Sequence, residues 1–169
     1  MDLQIKPIFE AHLNLFMSKE YPTVREAIQK LEHYCAYQDR CHEEVVQKLR
    51  TLKMTPEEID AIVVHLISGN FLNEERFARS FARGKHRMSH WGKVRIVREL
   101  KLRHISKYNI EAALKEIEEE YYENFENFAV YRWEILQEPS LLKKKKKWSD
   151  FLLRKGFETS LIYEKMKEF

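Results

Sequence analysis

Backbone breakers are scarce in this chain. Among 169 residues there are only 4 glycines and 4 prolines. So few turn formers exclude a disordered, collagen-like or many-turned all-β chain and suit long helices joined by short turns. Cysteine is scarce too. Cys35 and Cys41 do not form a C-x-x-C pair, and six residues apart on one helix they would point in different directions. His33, Cys35, Cys41 and His42 could be read as a zinc cluster, but no matching second pair exists. Buried, unligated thiols are therefore the expectation, and no metal site is assigned.

Long apolar runs are missing as well. The longest stretch without Asp, Glu, Lys or Arg runs from Ala61 to Asn73 and contains His65, Gly69 and Asn70, too short and too polar to span a bilayer. The first residues, Met1-Asp2-Leu3-Gln4-Ile5-Lys6, lack a basic segment followed by an apolar one. No secretion signal is expected, and the expected place is the cytoplasm, with no membrane partner. Catalytic signatures are absent: no glycine-rich phosphate loop, no G-x-S-x-G, no HExxH. Aspartate occurs only at Asp2, Asp39, Asp60 and Asp150, too few for a two-metal carboxylate site. His65 falls on the apolar face of a helix and reads as a core or boundary residue rather than a base. No catalytic residue and no cofactor is assigned; the chain reads as a binding protein.

What the chain does have is segregated charge. The formal net charge of +3 conceals −5 over residues 1–75, +10 over 76–107, −7 over 108–138 and +5 over 139–169. Two basic blocks flank an acidic one, an arrangement that speaks to partners rather than to fold.

It also has a repeat. A shift of 51 places Val45, Leu49, Met54, Ile59, Val63 and Leu66 on Ile96, Leu100, Ile105, Ile110, Leu114 and Ile117. Phe71, Phe77 and Ala78 likewise fall on Tyr122, Phe128 and Ala129. A further shift of 52 carries Ile96, Leu100, Ile105 and Ile110 onto Trp148, Leu152, Phe157 and Ile162. The expected architecture is all-α: an elongated array of three tandem three-helix repeats, over 23–72, 73–123 and 124–169, after an N-terminal extension over 1–22. In the extension, Ile8, Phe9, Leu13, Phe16 and Met17 predict a short amphipathic helix.

Local signals place the helices. Thr23-Val-Arg-Glu26 is a capping box, and Val24, Ala27, Ile28, Leu31 and Cys35 share one face. Val45, Val46, Leu49 and Leu52 mark a second helix. Thr55-Pro56-Glu57-Glu58 opens a third, with Ile59, Ile62, Val63 and Leu66 inside and Gly69 as its stop. In the second unit Asn73 is an N-cap, and Phe77, Phe81 and Met88 are expected to face inward. Ser89 is expected to cap the next helix, with Val94, Ile96, Val97 and Leu100 inside, and Ser106 the one after, which buries Ile110, Leu114 and Ile117. The third unit runs through Phe128 and Tyr131, Trp148 and Leu152, then Leu161 and Ile162, with Gly156 as a left-handed helix stop.

The central basic block is the candidate site. Arg76, Arg79 and Arg83 recur at helical spacing away from Phe77 and Phe81, followed by Lys85 and Arg87. Lys93, Arg95, Arg98, Lys101 and Arg103 leave the Ile96/Val97/Leu100 side free. Seven of the 11 cations in this block are arginine, whose planar fork suits phosphate or carboxylate. A nucleic-acid backbone and an acidic protein groove both fit, as does a solvated face paired with the acidic block 108–138. The run Lys143, Lys144, Lys145, Lys146, Lys147 is a second patch, either solvated helix surface or a phosphate contact.

These residues carry a resemblance. Asn73-Glu-Glu-Arg-Phe-Ala-Arg79 resembles the acidic-x-Arg-Phe-Ala signature of the RecX family of regulatory proteins. Arg83-Gly-Lys-His-Arg87, Trp91-Gly92-Lys93 and Ile96-Val-Arg-Glu-Leu100 follow in the family's order. Tyr34-Cys-Ala-Tyr-Gln-Asp-Arg-Cys-His-Glu-Glu-Val45 is similar to the opening of the first unit in RecX proteins of Bacteroidetes type. The resemblance covers about residues 23–169, is strongest over 30–105, and is looser in the third unit, through Leu152, Lys155-Gly156-Phe157 and Ile162. It implies tandem three-helix repeats, and a protein that binds the RecA recombinase and its nucleoprotein filament; a monomer is expected. It further implies inhibition of filament growth, strand exchange and ATPase activity, within DNA recombination, repair and the SOS response. The basic face would then meet RecA or its single- or double-stranded DNA. The alternative is a stand-alone helical module that binds nucleic-acid backbone. In one place the sequence departs: where the family has Lys-Gly-Ile/Leu, Arg103-His104-Ile105 stands, which predicts a different turn at that helix end.

Overall fold

In the computed structural model residues 21–169 are described, and all regular structure among them is helical. The helix expected around Ile8–Met17 lies outside the described residues. The helices come in threes: α1 (Val24–Tyr37), α2 (His42–Thr51) and α3 (Pro56–Ser68); α4 (Glu74–Ser89), α5 (Lys93–Leu102) and α6 (Lys107–Lys115); α7 (Glu118–Ile135), α8 (Leu141–Lys155) and α9 (Thr159–Met166). Only Glu116 and Ile117 separate α6 from α7, and α7 passes through residues 123 and 124 without a break.

The capping chemistry works as the sequence implies. The Thr23 amide donates to Glu26 Oε2 at 2.8 Å and the Glu26 amide to Thr23 Oγ1 at 3.3 Å. Thr55 and Glu58 repeat both bonds at the start of α3. Asn73 caps α4 and Ser106 caps α6, each accepting from the amide three residues on.

The repeat is written in the backbone. The middle helix of each unit ends on a left-handed residue: Lys53 (φ 62°), His104 (φ 58°) and Gly156 (φ 86°). One residue later, the amides of Met54, Ile105 and Phe157 donate to the carbonyls of Leu49, Leu100 and Leu152 at 3.3, 3.1 and 3.2 Å. This is one Schellman closure made three times. The different turn expected at His104 is therefore not found. Histidine is among the side chains that enter the left-handed region most readily, and the closing hydrogen bond holds it there. Gly69 does cap α3, but its φ is −81°, and Asn70 supplies the left-handed turn at φ 56°.

Two cores result. Ala27, Leu31, Cys35, Val45, Leu49, Ile62 and Leu66 fill the first unit. The second and third units share one core, from Phe77 and Ile96 through Tyr121 and Phe125 to Trp148 and Ile162, and Cys41 reaches into it from the first unit. Burial pushes both thiols, Cys35 and Cys41, above their usual pKa.

Three inward expectations fail. Met88 is 85% exposed, Val94 56% and Tyr131 55%. His65, expected in the core or at its boundary, is exposed and pairs with Glu32 at 2.7 Å. Ser89 does not cap the following helix; it is the last residue of α4, and Gly92 holds the cap position of α5. The reason is tertiary. The amide of Gly92 donates to Lys155 O at 2.9 Å, that of Val94 to Gly156 O at 3.1 Å, and that of Lys93 to the Tyr121 hydroxyl at 3.0 Å. The third unit thus satisfies the free amides at the start of α5, and no capping side chain is needed. The approach is close: a Cβ on Gly92 would stand 2.2 Å from Gly156 O, and one on Gly156 would stand 2.2 Å from Arg95 Cβ.

Candidate partner-binding surface

Helix α4 buries Phe77, Ala78, Ala82 and His86, so its arginines stand on the other side. That side does not stay free. Arg76 Nε donates to Asp39 Oδ1 at 2.8 Å, and its Nη2 reaches the carbonyls of Asn70 and Phe71 at 3.0 and 3.1 Å. Ser80 Oγ donates to the other Asp39 oxygen at 2.7 Å. Burial raises the Asp39 carboxyl, but these donors outweigh it and hold the group below the usual carboxylate range. Arg79 pairs with Glu75 at 2.7 Å and with Glu116, and Arg83 pairs with Glu116 at 2.6 Å. The hydrogen bonds from these two guanidiniums lower the Glu116 pKa. Arg87 pairs with Glu120 at 2.7 Å. Part of the basic block is therefore paired with the start of the acidic one, the arrangement that charge segregation left open.

Helix α5 is different. It buries Ile96 and Leu100, and its cations spread around the rest of its surface. Arg103 is paired with Glu99 at 3.0 Å. Arg98 reaches Glu99 only at 3.7 Å and stays exposed. Lys85, Lys93, Arg95 and Lys101 form no ion pair among the described residues. Three of these four rest on aromatic faces instead: Lys85 on Trp91 (5.1 Å), Lys93 on Tyr121 (4.4 Å) and Arg95 on Trp91 (4.0 Å). Such contacts orient a cation without neutralising it. In α8, Lys147 is tied to Glu138 at 2.5 Å. Among the described residues Lys143, Lys144, Lys145 and Lys146 carry no ion pair, and Lys144 lies 4.6 Å above the Trp133 ring.

One group of cations escaped sequence reasoning. Arg132 on α7 sits 4.0 Å over the Phe151 ring, and Lys155 at the end of α8 lies 5.7 Å from the same ring. The contact between Gly156 and Arg95 brings α5 alongside. Burial, then the charges of Arg95 and Arg132, lower the Lys155 pKa. Arg132 lies in a stretch of net −7, where its charge is submerged in any block count. The available signal was Lys155-Gly156-Phe157, whose left-handed glycine marks a close backbone approach.

Among the described residues no helix is long and apolar enough to cross a membrane, and no three His, Cys, Asp or Glu side chains gather as metal ligands would.

Comparison with known proteins follows the same units. Residues 73–114 match the description of the second three-helix domain of RecX, and residues 118–166 that of the third. A protein named regulatory protein RecX from Lactobacillus gasseri is 35% identical over 94 residues, 56% of this chain and 35% of that one. Another of that name, from Bacillus cytotoxicus, is 26% identical over 149 residues, 86% of this chain and 55% of that one. The chain thus spans between about a third and just over half the length of these curated relatives. The crystal structure of RecX from Lactobacillus salivarius superposes with a TM-score of 0.71 at 25% identity, covering 86% of this chain and 97% of that one. The repeated three-helix units, the two matched domains and these relatives agree: the chain belongs to the RecX family.

Proposed function

We propose that this protein binds the RecA recombinase and its nucleoprotein filament and restrains filament growth, strand exchange and ATPase activity. In this reading the contact surface is Lys85, Lys93, Arg95, Arg98 and Lys101, with Lys143–Lys146 as a second patch. Arg76, Arg79, Arg83, Arg87 and Arg103 serve first to hold the helices together. Membership of a family of regulatory proteins supports the regulatory role. The observation that carries the surface is the division of charge. The α4 arginines have carboxylate partners within the fold, whereas most α5 cations have none among the described residues, which leaves their charge for an outside anion.

The test is the DNA-dependent ATPase and strand exchange of RecA with and without stoichiometric protein. Both are expected to fall, and unchanged rates refute the proposal. Reversing two exposed cations, Arg98→Glu with Lys101→Glu, is expected to abolish capture on RecA–DNA filaments while helicity and Tm hold. Tight, salt-steep DNA binding with no response to RecA would reassign the surface to nucleic acid alone.

A further inference from the structure

The geometry points to a site for one backbone phosphate of a nucleic acid, formed by Arg95, Arg132 and Lys155 where the second and third units meet. The inference rests on the nucleoprotein partner proposed above and adds a residue-level contact to it. Three observations carry it.

First, the three cations are brought together by the fold. The amide of Gly92 donates to the Lys155 carbonyl, and Gly156 lies so close to Arg95 that any Cβ would collide with it. Arg132 and Lys155 lie against the same Phe151 ring. Second, nothing neutralises them: none of the three forms an ion pair among the described residues, whereas Arg79, Arg83 and Arg87 are all paired. Gathering like charges is unfavourable unless an anion joins them; burial first, and then the charges of Arg95 and Arg132, lower the Lys155 pKa.

Third, their heads are held in place by neutral groups. Lys155 Nζ donates to Ser89 O at 2.8 Å, and Arg95 Nη1 to Arg154 O at 3.2 Å. The Arg95 guanidinium lies on Trp91 and that of Arg132 on Phe151, each at 4.0 Å. The Nε atoms of Arg95 and Arg132 are buried without a partner among the described residues. Rings and carbonyls fix direction yet leave the charge in place. A phosphodiester suits such a cradle, because its oxygens accept from several donors in different directions at once.

The test is fluorescence anisotropy of a labelled single-stranded oligonucleotide over a salt series. It compares the unmodified protein with Arg132→Gln, Arg132→Lys and a control, Lys30→Gln, on the exposed side of α1. Losing one phosphate contact is expected to lower the log–log salt slope by about 0.7 and to weaken binding roughly fivefold at 0.1 M salt. Arg132→Lys, which keeps the charge, is expected to restore most of the slope, and Lys30→Gln to change nothing. Thermal melts of each variant separate loss of contact from loss of fold. If Arg132→Gln folds and keeps the parental slope, or if the unmodified protein binds no oligonucleotide at low salt, the site is overturned. Capture on RecA without DNA, run in parallel, judges the regulatory proposal separately: it can fail while the phosphate site stands, and the reverse.

Discussion

Position 156 and its repeat counterparts allow a test in which the same backbone conformation is perturbed in opposite senses. Lys53, His104 and Gly156 all sit in the left-handed region, at φ 62°, 58° and 86°. A Cβ there costs roughly 1–2 kcal/mol, while glycine costs about 0.5–1 kcal/mol in chain entropy. His104→Gly is therefore expected to stabilise the protein by about 0.5–1 kcal/mol. Gly156→Ala incurs the left-handed penalty and a second one. Its Cβ would stand 2.2 Å from Arg95 Cβ and 2.5 Å from Arg95 N, so backbone has to move. Forced overpacking of this kind costs about 1–3 kcal/mol, which brings the expected loss to about 2–4 kcal/mol. Urea melts by circular dichroism, with m-values compared, measure both changes. If Gly156→Ala costs no more than His104→Gly gains, the second and third units are not locked at this contact, and the cation cluster built on it loses its frame.

Phe77→Ala is expected to cost about 3–5 kcal/mol in the same melts, since Phe77 is buried in the core that the second and third units share. Acid lability should trace to the paired carboxylates. The folded pKa of Glu116 is depressed by Arg79 and Arg83, so its contribution is complete above the unfolded value of about 4.3 and is lost as pH falls through the folded one. Glu116→Gln is thus expected to weaken the protein at pH 7 and to flatten its stability profile below pH 4. Arg79→Glu with Arg83→Glu would crowd carboxylates around Glu75 and Glu116, so Tm is expected to drop.

Much of the fold is legible because its causes are local. The Thr23 and Thr55 boxes, the Asn73 and Ser106 caps and the offsets of 51 and 52 act within a few residues or repeat along the chain. The failures share one cause, contact across the chain. Gly92 replaces Ser89 as a cap because Tyr121, Lys155 and Gly156 supply its acceptors. Val94 is the exception: it stands two residues before buried Ile96, about 200° around the helix, and so faces away from that core side. The site is half legible for the same reason. That residues 76–103 are cationic is plain from the sequence. That Arg79, Arg83 and Arg87 are consumed by Glu116 and Glu120, while Arg95 gains Arg132 and Lys155, depends on helices more than thirty residues away.

The two separate cores bear on how the molecule comes apart. The first unit closes around its own apolar set and meets the rest through Arg76, Asp39, Ser80 and the buried Cys41. Amide hydrogen exchange is then expected to divide near residue 72 into two cooperative blocks, the N-terminal one opening first. Such a chain can fray at one end while Arg95, Arg132 and Lys155 keep their arrangement.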